Sequence, residues 1–144
     1  MIVRAIAALA LSAALPAGAY CVHNDLKGKD VRVVRDNSEG GDAQDLVLKP
    51  ADKFCCTPKD TSCNPEGKIT SNVDLEVTIQ GTPAYRCGIS EKKGQTVKVT
   101  GGGSVHVVNN PKASSALPYV VRIRTQDRDV SGPSGVQCTE RKGN

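Results

Sequence analysis

Between Asn72 and Gln80 the chain alternates without a break, with Val73, Leu75, Val77 and Ile79 set against Asn72, Asp74, Glu76, Thr78 and Gln80. A period of two puts the apolar set on one side of an extended strand and the polar set on the other. Tyr119 to Gln126 repeats the pattern, with Tyr119, Val121, Ile123 and Thr125 opposite Val120, Arg122 and Arg124. Shorter runs follow the same rule. Val31 and Val33 alternate with Arg32 and Val34, Leu46 and Leu48 flank Val47, and Tyr85, Cys87 and Ile89 form the inward side of another strand. Tyr20 to Asn24 carries Cys21 and His23 on one side and Val22 on the other, and reads as a hairpin partner of Asp30 to Arg35 across Gly28. Gly101-Gly102-Gly103 lies between the extended runs Gln95 to Thr100 and Ser104 to Asn109, which predicts a second hairpin, since glycine accepts the positive φ of a tight turn. Lys53 to Cys56 and Val136 to Glu140 complete the set. Polar, glycine- and proline-bearing loops at 36–45, 57–68, 110–118 and 127–135 separate these runs.

After residue 19 no stretch has apolar residues at helical spacing. The expected fold is all-β, a two-sheet antiparallel β-sandwich of about eight short strands. Residues 1–19 read differently. Arg4 precedes an apolar run from Ala5 to Leu15, Pro16 breaks it, and Ala17-Gly18-Ala19 fits a small-x-small cleavage site, so 1–19 is expected to be a signal peptide. The run is shorter than the roughly 20 residues a membrane span requires. The expected mature chain, 20–144, is one domain with a frayed tail at 141–144. Its core must be built from valine, isoleucine, leucine and alanine, because the 144 residues include no tryptophan, three tyrosines and one phenylalanine.

Six cysteines change the picture. In an exported chain they form a disulfide framework, and Cys21, Cys55, Cys56, Cys63, Cys87 and Cys138 are all assigned to it. Cys55 and Cys56 are adjacent, so in extended backbone they point to opposite sides and reach different partners. The expected pairing is Cys21 with Cys138, Cys55 with Cys87, and Cys56 with Cys63. Phe54 to Pro65, with three of the six, becomes a hub. Spacing of the C-x₂-C kind, which zinc sites use, is absent, and no metal is expected there.

Candidate chemistry is sparse. His23 and His106 are the two histidines and the weak catalytic candidates, an acid–base pair for phosphodiester cleavage with Arg122 or Arg124 steadying the phosphate. The plainer reading of His106 is a solvent-facing strand position. Ser104 shares its face, but two residues along a strand is roughly 7 Å, too long for a direct nucleophile–base contact. Arg32, Arg122 and Arg124, with Arg35, could form a basic patch for sulfated glycans, phosphates or acidic proteins; otherwise they are strand-protecting surface charges. Asp36 to Asp42 with Asp45 could offer oxygens to calcium, although position twelve of that loop is Val47 rather than glutamate. The formal charge of +4, which drops to +3 without Arg4, is too mild to argue for nucleic acid, and no aromatic interleaving supports base stacking.

Tyr20-Cys21, Phe54-Cys55-Cys56, Cys63-Asn64-Pro65-Glu66-Gly67 and Tyr85-Arg86-Cys87-Gly88 together resemble the layout of small secreted cysteine-rich β-rich proteins of fungi, some effector-type, and of exported proteobacterial proteins. The resemblance implies an extracellular or periplasmic β-rich domain and brings no active site. The expected function is that of a monomeric secreted interaction protein that binds a protein or glycan partner, with no cofactor, no membrane association and no evident catalytic site. The alternatives are a ribonuclease-like hydrolase using His23 and His106, and a glycan- or calcium-binding module.

Overall fold

The computed structural model describes residues 19–35, 44–91, 94–112, 116–125 and 128–142. Among them the chain forms strands and turns and no helix. The strands are β1 (Tyr20–Asn24), β2 (Val31–Arg35), β3 (Gln44–Leu48), β4 (Lys53–Cys56), β5 (Asn72–Ile79) and β6 (Tyr85–Cys87), then β7 (Ile89–Glu91), β8 (Gly94–Thr100), β9 (Gly103–Asn109), β10 (Tyr119–Thr125), β11 (Arg128–Asp129) and β12 (Val136–Glu140). The all-β class is as the alternation predicts. The two-sheet sandwich is not what forms. The ladders join into one continuous sheet in the order β3-β2-β5-β6-β12-β10-β9-β1-β4, curled into a nearly closed barrel, with β8 branching from β5. The link that makes it one sheet is β12, which pairs with β10 on one edge and β6 on the other.

Two expected hairpins are also replaced. β1 does not pair with β2; it lies between β4, antiparallel, and β9, parallel. The three-glycine stretch does not close a β8–β9 hairpin either, since β8 pairs with β5 and β7 while β9 pairs with β1 and β10. The glycines serve a different purpose. A Cβ on Gly101 would lie 1.1 Å from the Ile69 carbonyl oxygen, so the chain crosses there against another backbone segment rather than folding back on its own neighbour. A comparable crossing at Gly88, where a Cβ would meet the Thr96 backbone at 2.4 Å, lets the chain leave β6 for a new partner. That jog turns Ile89 outward, 67% exposed, against its expected inward position.

Inside, the predicted apolar faces meet. Val73, Leu75, Val77 and Ile79 of β5 pack in one cluster with Val31, Val33, Val97, Val99, Val105, Val107, Val121 and Ile123. The ends of the strand order are held together by Asn24, which is fully buried. Its amide donates to the carbonyls of Lys29 (2.8 Å) and Leu48 (2.9 Å), and its Oδ1 accepts from the Leu26 amide (3.0 Å). Its own backbone exchanges bonds with Asp52 and Ala51, in the connection between β3 and β4.

All six cysteines are paired, the arrangement of a chain that folds in an oxidising environment. Cys56 joins Cys63 as expected. The other two expected pairs are replaced by Cys21–Cys55 and Cys87–Cys138. Each joins residues directly opposite on neighbouring strands, β1 with β4 and β6 with β12, a proximity that depends on the sheet order. Cys55 is exposed and Cys56 buried, the opposed orientation anticipated for the adjacent pair. Beneath the hub, Arg35 faces inward with 2% exposure and its Nε donates to the Ser62 carbonyl (2.7 Å), so it takes no part in a surface patch. The Tyr20 hydroxyl donates to the neighbouring Cys63 carbonyl (3.0 Å). Burial, partly offset by Arg35 and reinforced by Asp60, pushes that phenol up to about 12. Ala19 is buried and its amide donates to Cys56, while the Arg141 amide donates to Ala84 at the other end of the described chain.

Candidate functional site

The parallel register of β1 and β9 sets His23 directly beside His106. Register partners on neighbouring strands project to the same side about 4.8 Å apart, a spacing that suits two flat rings. The imidazoles stack with centroids 4.3 Å apart and planes 11° from parallel. On the other edge of β9, antiparallel β10 sets Arg122 opposite His106 and Arg124 opposite Ser104. Because Val22, Val105, Val107, Val121 and Ile123 face inward, these polar side chains share the outer surface of three adjacent strands.

A chain of hydrogen bonds crosses this surface. Asp25 directly follows β1, held by its amide's bond to the Val107 carbonyl (3.0 Å). Its Oδ2 lies 3.0 Å from His106 Nδ1, and His106 Nε2 lies 3.0 Å from Ser104 Oγ. A carboxylate only accepts, so Nδ1 carries the proton and donates to Asp25, which leaves Nε2 to accept the Ser104 hydroxyl. The expectation that Ser104 is too far from His106 is therefore wrong. It rested on backbone spacing, whereas a strand side chain leans along the strand and the imidazole closes the gap. Asp25 is the member that sequence reading missed. It follows β1 by one residue, and only the parallel pairing with β9 brings it to the His106 ring, 81 residues onward.

Around this chain the charges are partly spent. Arg122 Nε donates to Asp129 Oδ2 at 2.9 Å, its NH2 makes a second, shorter bond to the same oxygen, and NH1 reaches the Pro133 carbonyl. The Ser131 hydroxyl, foremost, and Arg122 hold the Asp129 carboxyl below its ordinary range. Arg124 is exposed, and among the described residues no carboxylate pairs with it. Asp25, His106, Val108, Arg122, Arg124 and Asp129 line a shallow concavity of about 310 Å³. His23 does not line it but stacks on His106 and lies opposite Lys53 of β4; burial first, and the neighbouring His106 next, lower its pKa.

Arg32 is not part of the group. It sits on β2, with β5, β6 and β12 between it and β10 in the strand order, and makes a two-pronged pair with Asp45 at 2.9 and 2.5 Å. That also commits Asp45, one of the oxygens of the calcium reading; the rest of that reading, Asp36 to Asp42, lies outside the described residues. No helix among the described residues is long and apolar enough to cross a membrane. No protein-family model, curated protein or solved structure matches the chain.

Proposed function

We propose that the protein is an exported, disulfide-stapled binding protein whose working face is the outer surface of β1, β9 and β10, and that this face takes a ligand bearing an anionic group, such as a sulfated glycan. The observation that carries this reading is Arg124, exposed and paired with no carboxylate among the described residues, beside His106 and the Asp129-paired Arg122 in one concavity that Val108 also lines. Guanidinium groups suit sulfate and carboxylate because their forked donors match those oxygens two at a time. A stapled sheet adds rigidity, so little ordering cost is charged against binding.

Heparin titration followed by calorimetry tests it. Binding should weaken at least about tenfold in an Arg122→Gln/Arg124→Gln double variant, weaken with added salt, and remain unchanged in Arg32→Gln, which β5, β6 and β12 separate from this face in the strand order. Absence of binding by the wild-type chain, or equal losses at Arg32, would refute it.

A second reading is hydrolytic, and one observation favours it. Ser104, His106 and Asp25 stand in the order nucleophile, base and orienting carboxylate, each contact at 3.0 Å. Ester or phosphodiester substrates would sit in the concavity with Arg124 facing the developing charge. The ribonuclease-like version shares His106, with His23 stacked beside it. Turnover of p-nitrophenyl esters and of RNA that is the same in wild type, Ser104→Ala and His106→Ala would dispose of both versions.

A further inference from the structure

The stacked histidines and Asp25 have a use that neither reading requires. Among the described residues, the ligand atoms of His23, Asp25 and His106 all lie within 4.8 Å of one another. A metal with bonds of ~2.1 Å in a tetrahedral shell holds its donors about 3.4 Å apart. His106 Nδ1 and Asp25 Oδ2, at 3.0 Å, are already near that separation, and His23, stacked 11° from parallel on His106, must turn its ring for its lone pair to converge with them. We propose that His23, Asp25 and His106 bind a divalent transition-metal ion of the zinc or copper type.

Two imidazole nitrogens and one carboxylate oxygen form a donor set of intermediate softness, which suits zinc and copper and not calcium or magnesium, whose shells are built from oxygen. Three protein donors leave a coordination position for water or a ligand. The outer shell is present as well. When Nδ1 of His106 ligates, its proton passes to Nε2, and the Nε2–H then donates to Ser104 Oγ, already 3.0 Å away. A second-shell acceptor of that kind fixes the tautomer and orientation of a ligating ring. The sheet supplies the rest of the positioning, since His23 and His106 are register partners and Asp25 is tied to the Val107 carbonyl. Opposing charges are modest. Lys53 faces His23 from β4, while Arg122 faces His106 with its charge compensated by Asp129. The inference shares His106 with the anion-binding reading, but it does not rest on either arginine, and His23 has no part in that reading.

The full chain tests this directly, because it contains only two histidines. In proton NMR with zinc chloride, the imidazole signals of both rings should change together and stop changing at one equivalent. Calorimetry with zinc chloride, and separately with copper sulfate, should give one site with a Kd of about 10 µM or tighter. His23→Ala, Asp25→Asn and His106→Ala should each weaken it ~10-fold or more, whereas Arg124→Gln should leave it unchanged while impairing heparin binding. Should an alanine variant fail to fold, the wild-type NMR titration and the exposed-site variant Asp25→Asn still decide. Ring signals that stay still under a tenfold excess of both metals, or a site whose affinity survives the loss of His23 and His106, would overturn the proposal.

Discussion

The Asn24 side chain ties three separate backbone groups together. It is polar and wholly buried, and its amide satisfies carbonyls of Lys29 and Leu48 while its oxygen takes the Leu26 amide. Truncation would strand the buried Leu48 carbonyl and Leu26 amide, with the part-buried Lys29 carbonyl beside them, and a buried group left unpaired costs about 1–3 kcal/mol. Asn24→Ala should therefore lower stability by ~3 kcal/mol or more, read as a fall in the urea midpoint. Tyr20 supplies a pH dependence with a definite sign. An unfolded tyrosine ionises near 10, and the folded phenol is pushed up to about 12. Below pH 10 both states keep the proton and stability is undiminished; from 10 to 12 only the unfolded chain loses it, so stability falls as pH rises. Tyr20→Phe should show a shallower decline over that window in urea titrations, although it starts lower for want of the bond to Cys63.

At the level of elements, the glycine stretch from 101 to 103 separates two uses of one residue type. Gly101 has no room for a Cβ, because the Ile69 carbonyl occupies the place, so Gly101→Ala should unfold the chain or cost more than ~3 kcal/mol. Gly102 has open space and a φ of +74, so Gly102→Ala should cost only about 1–2 kcal/mol of left-handed strain. Thermal unfolding of the two variants side by side checks the contrast. Equal effects would mean that the turn, and not the crossing with the 69–70 backbone, dictates glycine there.

For the whole molecule, the three disulfides do unequal work. Cys87–Cys138 closes 51 residues and Cys21–Cys55 closes 34, whereas Cys56–Cys63 closes 7. Loop-closure entropy makes the long links worth about 4 kcal/mol each and the short one about 2. Replacing Cys87 and Cys138 by alanine should therefore depress the urea midpoint more than replacing Cys56 and Cys63, both pairs being buried. With a valine-rich core and a domain stability of the usual ~5–15 kcal/mol, full reduction should unfold the chain, as loss of the β-sheet circular dichroism signal would show.

Periodicity alone made the strand faces legible. The alternation from Val73 to Ile79 named the inward residues correctly, and that from Tyr119 to Thr125 did so for Val121 and Ile123, because side-chain direction in a strand is a local property of the backbone. The second run set Val120 on the outer side, yet Val120 is buried, because what packs over a strand face is not local. The opposed directions of Cys55 and Cys56 were legible from that same local property. Strand partnership was not. That β1 lies parallel to β9, that Cys87 meets Cys138, that β12 joins the ladders into one curled sheet, and that Asp25 reaches His106 all depend on contacts between segments far apart in sequence. Such contacts are chosen by the packing of all the strands at once, and no local pattern encodes them. His23 and His106 could be named from the sequence as the two candidates. Only the tertiary fold made them neighbours, because a register partner is defined by the strand beside it.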